Sequence, residues 1–114
     1  MTRMHIKQKF LEAIKNGTKK REYRLATPDR REIKVGDKIE LIANEDDNIS
    51  ICVEVKKIEL YSSLSDALIK YWEEDFKDVT NDFSRLINEC KTFYKESDVN
   101  KYGIIVFEIK YISK

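Results

Sequence analysis

Gly17-Thr18-Lys19-Lys20-Arg21-Glu22-Tyr23-Arg24 carries four cations and one carboxylate between a short apolar segment and the loop that holds the only proline. A helix is excluded here because no apolar stripe recurs at 3.6 residues, and the large apolar groups Tyr23 and Leu25 are two apart. Period two predicts a strand with Arg21, Tyr23 and Leu25 on one face and Lys20, Glu22 and Arg24 on the other. Lys19 joins the Tyr23 face unless a bulge or the Gly17 turn re-aims it. A carboxylate between bases on one face can pin an arginine fork by a charge-assisted hydrogen bond, leaving other donors for a phosphate or a carbonyl oxygen. The same pattern also suits an edge strand guarded from aggregation by charge.

The flanking segments give this strand its setting. Met4 and Ile6 alternate with His5 and Lys7, as in a first strand with one buried face and an outward histidine. Lys9 to Asn16 reads as a short helix with Phe10, Leu11 and Ile14 on one side and Gly17 as the C-terminal glycine. Ala26 to Glu32 reads as a solvated loop whose Arg30 and Arg31 add cations near the strand. Lys34-Val35-Gly36-Asp37 is a tight turn into a strand from Lys38 to Ala43, and Asn44 to Asn48 is an acidic turn.

From Ile49 to Leu60 the apolar residues alternate, but the phase slips at Lys56-Lys57, which predicts a bulge that curls the sheet. Ser63-Leu64-Ser65-Asp66 opens a helix, which Glu73-Glu74-Asp75 interrupts as a solvated acidic end. Thr80-Asn81-Asp82 caps a second helix whose Phe83, Leu86, Ile87, Cys90 and Phe93 form an apolar stripe for the core. Trp72 is expected to pack against the sheet. Tyr102 to Ile112 is nearly continuously apolar and predicts a central strand buried on both faces.

Gly17, Lys19, Glu22 and Arg24 fit Gly-x-Lys-x-x-Glu-x-Arg, which resembles the signature of the ASCH family, small domains related to the PUA fold. The Phe10-to-Ile14 helix before the glycine, the turn and strand at Ile33 to Ile39, and Lys101 to Ile109 also resemble family segments in the same order. The resemblance covers most of the chain outside its acidic middle. It implies an α+β fold, a PUA-like small curled β-sheet or barrel with flanking short helices, as one domain over residues 1–114. It also implies a cleft lined by Lys19, Arg21, Glu22, Tyr23 and Arg24 that binds RNA or a modified nucleoside.

Two other functions stay open. Some relatives resemble small amidohydrolases that deacylate the N4 position of cytidine, with the motif lysine as base. Lys19 and Glu22 would then be catalytic, although Glu22 stands where those relatives have a threonine. A glutamate in the connection between barrel strands belongs to that site in some relatives, and neither Glu73 nor Glu74 aligns to it with certainty. The third reading is a protein-interaction accessory domain, which needs no concave pocket.

Composition bounds these readings. A chain of 114 residues with 41% hydrophobic and 38% charged residues suits one folded core. No apolar run approaches the roughly 20 residues that cross a bilayer, and the N-terminus lacks a secretory apolar region, so a cytoplasmic location and no membrane partner are expected. Cys52 and Cys90 are expected as buried free thiols. With a single histidine, His5, no metal site and no cofactor are expected. Residues 1–40 carry a net charge of +6 and residues 41–114 carry −5, which places the signature strand in the basic half.

Overall fold

A computed structural model describes residues 1–77 and 79–113. Its strands are β1 (Thr2–Ile6), β2 (Arg21–Leu25), β3 (Lys38–Ala43), β4 (Asp46–Tyr61) and β5 (Ile104–Ser113). Among the described residues six short helices lie between them: α1 (Gln8–Lys15), α2 (Pro28–Arg31), α3 (Leu64–Ile69), α4 (Trp72–Asp75), α5 (Phe83–Cys90) and α6 (Glu96–Tyr102). The strands form one mixed sheet in the order β1-β3-β4-β5-β2, with β1 parallel to β3 and the other neighbours antiparallel. The sheet curls into a half-barrel whose two edge strands are β1 and β2, giving the expected α+β architecture.

The expected bulge lies where the β4–β5 register shifts between Val55 and Lys57, opposite Ile109 and Glu108. The extra residue at Lys56 keeps Ile58 packed against the cluster that holds Val53 and Val55. Leu60, two residues further on, is 54% exposed and lies outside the core. β5 is the central strand that its unbroken apolar run predicts. Ile105, Phe107 and Ile109 enter a cluster with α1, while Ile104 and Val106 enter a second cluster with α3, α5 and α6. Each such fully buried side chain contributes on the order of 1.5–3 kcal/mol, so a strand serving two clusters anchors both.

Several local expectations are corrected. Ala26 to Glu32 is not all loop: Pro28 sits in the first turn of α2, where its missing N–H costs nothing. Arg31 is held there by the carbonyls of Ala26 and Tyr102. The acidic turn after β3 is shorter than expected, because Asp46 already pairs with Ala43. Glu73-Glu74-Asp75 does not interrupt a helix but forms most of α4. Phe93, expected in the core, is 53% exposed because α5 ends at Cys90 and the chain turns away. Trp72 packs on Phe83 with ring centroids 5.4 Å apart. Both cysteines are free thiols, but only Cys90 is buried and Cys52 is half-buried.

Candidate functional site

The signature residues are positioned by the end of α1. Gly17 has φ of +86°, a left-handed conformation that glycine adopts without strain, and it lets the N–H groups of Thr18 and Lys19 both turn back to the Ala13 carbonyl. That sharp reversal delivers Lys19 to the start of β2, beneath the helix it has just left.

Lys19 is 2% exposed. Its Nζ donates to the Arg21 carbonyl and lies 3.4 Å from Glu22 Oε1. The rings of Tyr23, Phe76 and Phe10 stand 5.2, 5.3 and 5.9 Å from it, the reach of cation–π attraction. Glu22 is equally buried. Its Oε2 accepts from Arg24 Nε at 3.0 Å and Nη2 at 2.5 Å. Burial works against the Glu22 charge, but Arg24 and Lys19 outweigh it and hold the carboxyl below its ordinary range. Arg24 Nη2 also donates to the His5 carbonyl at 2.7 Å, so the fork spans from β2 to β1. Arg24 Nη1 is left uncommitted among the described residues.

These groups converge on a cleft of about 380 Å³ between β1, β2, α1 and α5. Lys19, Glu22, Tyr23 and Arg24 all line it. Its floor is apolar, from Phe10, Leu68, Phe76 and Leu86, and its rim carries His5, Lys7, Arg30, Phe93 and Tyr94. Four cationic side chains, Lys7, Lys19, Arg24 and Arg30, face two carboxylates, Glu22 and Glu89. Lys7 Nζ rests 4.5 Å over the exposed Phe93 ring, pairing a charge with an open π-face at the mouth. Cys90 also lines the cleft, and burial pushes its thiol up to about 11, which leaves it a poor nucleophile.

Arg21 is the signature-strand residue that the structure places elsewhere. It shares the Tyr23 face of β2 but reaches past the cleft and stacks on Tyr71 with 3.5 Å from guanidinium carbon to ring centroid. Asp75, Glu74 and Glu108 surround it at 3.1–3.5 Å. Burial opposes its charge, yet these acids more than compensate and raise its pKa. Arg21 therefore braces β2 through α4 and β5 and does not line the cleft.

Asp75 has no counterpart among the sequence-based expectations for the site. It is 5% exposed and accepts from the Tyr23 hydroxyl at 2.6 Å, the Lys20 N–H at 2.9 Å and Arg21 Nη1 at 3.3 Å. It thereby fixes Tyr23, whose ring forms part of the cleft wall. Tyr94 does the same from the other side by donating to the Tyr23 carbonyl at 2.5 Å. Phe93 and Tyr94 were legible only as adjacent aromatics at the end of an apolar stripe; nothing in the sequence ties Asp75 to β2.

The comparisons with known proteins agree with the fold. The model of the ASCH domain family matches residues 4–113. The crystal structure of the hypothetical protein PH0355 superposes with a TM-score of 0.84 at 33% identity, covering 96% of this chain and 97% of that one. The solution structure of protein PF0455 from Pyrococcus furiosus gives 0.76 at 32% identity, covering 99% and 98%. The ASCH crystal structure from Zymomonas mobilis gives 0.68 at 15% identity, covering 96% and 68%, a likeness of fold. No curated protein matches the sequence. Among the described residues no helix is long and apolar enough to cross a membrane, and no three His, Cys, Asp or Glu side chains are grouped to hold a metal ion.

Proposed function

Because the chain belongs to the ASCH domain family, we propose that it binds RNA, or a modified nucleoside, through one nucleotide unit held in the cleft of Lys19, Glu22, Tyr23 and Arg24. The observation that carries this reading is the pairing of a cationic rim with an aromatic floor in one concavity. At about 380 Å³ the cleft lies toward the small end of the roughly 300–1,000 Å³ typical of ligand sites. That suits one extruded base and its sugar, and is too small for a duplex. Lys7 and Arg30 at the rim, with the uncommitted Nη1 of Arg24, supply donors for phosphate oxygens. The buried Lys19 ammonium offers a donor to a base carbonyl or ring nitrogen, and the floor supplies stacking.

The hydrolytic alternative is disfavoured by the contacts of Lys19. A general base must reach the proton it takes from substrate or water, whereas this Nζ is already engaged with the Arg21 carbonyl and the Glu22 carboxylate beneath three rings. Glu22 is likewise committed to two cations and is poorly placed to shuttle a proton. The convergence of the motif on a concave surface also speaks against a pure protein-interaction role.

Fluorescence titration with single-stranded RNA, structured RNA and free nucleosides at low salt tests the proposal. Saturable binding that is lost with Lys19→Ala plus Arg24→Ala supports it. No binding, or binding that the double substitution leaves intact, overturns it. Incubation with N4-acetylcytidine is expected to release no more product than the Lys19→Ala control.

A further inference from the structure

A second cavity, of about 470 Å³, opens beside the first between the start of α3, the end of α5 and α6. Tyr94 lines both. Its hydroxyl is tied to the Tyr23 carbonyl at 2.5 Å, so its ring is a fixed partition between the two spaces. The two cavities differ in chemistry. The first has the surplus of cations and the aromatic floor. The second has an aliphatic floor of Leu64, Ile87 and Val99, and a rim of the hydroxyls of Ser62 and Ser65 with the amide of Asn100. Its two charged side chains, Lys91 and Glu96, are of opposite sign.

We propose that the second cavity is the subsite for the adjacent nucleotide of a single strand of RNA, so that Tyr94 separates two successive nucleotides and the ligand is a strand. This inference rests on the function proposed for the first cleft. A neutral pocket rich in hydroxyl and amide groups is unsuited to phosphate but suited to a ribose and a base edge, since the 2′-hydroxyl both donates and accepts. The phosphate joining the two nucleotides then falls at the partition. The charged neighbours of the Tyr94 phenol on its first-cleft side are Glu22, whose charge Arg24 already grips, and the two cations Arg24 and Arg30. They are the cations a bridging phosphate at that point requires, and the second cavity needs none of its own. A free nucleoside would leave this second space unused.

Linking two contacts through one phosphodiester makes the second binding event intramolecular, so a dinucleotide gains affinity without new chemistry at the first site. Binding of the intact protein to a nucleoside 5′-monophosphate, a ribodinucleotide and its deoxyribose counterpart is measured by competition against a labelled single-stranded RNA. The ribodinucleotide is expected to bind at least about tenfold more tightly than the monophosphate, and more tightly than the deoxyribose form. Ser65→Trp, at an exposed rim position, is expected to remove that gain by filling the second space while leaving monophosphate binding unchanged. Asn100→Ala is expected to shrink the preference for ribose.

The inference is overturned if the monophosphate binds as tightly as the dinucleotide, or if Ser65→Trp leaves the gain in place. In both cases the reading of the first cleft survives. If neither compound competes, both fall together. Circular dichroism of each variant separates a blocked pocket from a misfolded chain.

Discussion

Arg24 Nη2 donates to the main-chain carbonyl of His5 at 2.7 Å, and this bond joins the two edge strands of a sheet that does not otherwise close. The same nitrogen and Nε grip Glu22, so one planar group fixes the spacing of the cleft walls. Lysine keeps the charge but cannot reach two partners in a fixed fork. Arg24→Lys is therefore expected to destabilise the fold by about 1.5–3 kcal/mol, the range for a hydrogen bond to a charged group, and to weaken ligand binding more than Lys7→Arg does. Urea unfolding with binding titrations on both variants checks this; an Arg24→Lys protein equal to the parent in both would show that the clasp is not needed.

Glu22 gives the fold a pH dependence whose sign follows from its contacts. Its folded pKa is lowered by Arg24 and Lys19 below the ordinary 4.5. An acid with a depressed folded value contributes stability that is complete above its unfolded pKa and is lost as pH falls through the folded one. The parent protein should therefore lose stability on acidification below about pH 4.5, and Glu22→Gln should lower stability at neutral pH while flattening that acid limb. Thermal unfolding between pH 7 and pH 3 measures it. Parallel acid limbs in parent and variant would mean that other carboxylates govern the loss.

Asp75 should matter far more to stability than its two neighbours in α4. It faces Tyr23, Lys20 and Arg21 in the interior, and Asp75→Ala leaves the buried Arg21 guanidinium short of its main counter-charge. Removing one partner of a buried pair costs about 3–5 kcal/mol, whereas an exposed substitution such as Glu73→Ala stays within about 0.5 kcal/mol. Arg21 retains Glu74 and Glu108, which places the expected loss at the lower end. Equal stability of the two variants in denaturant would contradict the role given to Asp75.

What the sequence discloses and what it hides divide along physical lines. The alternation in β2 places Tyr23 and Glu22 on opposite faces, and the slip at Lys56 marks the bend of β4, because both are local consequences of a two-residue period. The Glu22–Arg24 grip is likewise a property of one strand face. Asp75 is hidden because its partners lie more than fifty residues away, and an aspartate in an acidic triplet looks like any solvated helix end. Phe93 misleads for another reason: the helical spacing of its stripe continues on paper after α5 has stopped. Helix α6 carries one buried residue, Val99, so no amphipathic pattern announces it. Arg21 shares the charge of its neighbours, and only the topology reveals the three acids that claim it.

Phe93 and Arg30 separate ligand binding from folding. Phe93 is half exposed at the mouth, so Phe93→Ala should cost the fold well below the roughly 3–5 kcal/mol of truncating a fully buried phenylalanine. If a base stacks on this ring, its loss costs about 1–3 kcal/mol of affinity, with little change in the dependence on salt. Arg30 lies at the same rim but acts through charge. Arg30→Ala should weaken binding mainly at low salt and lower the slope of log affinity against log salt by about 0.7, the value for one phosphate contact on a single strand. Anisotropy titrations of both variants over a series of salt concentrations distinguish the two contributions. A Phe93→Ala protein that binds as the parent does would move the stacking surface inward, onto Phe10, Tyr23 and Phe76; an Arg30→Ala protein with an unaltered slope would take the phosphate away from the rim.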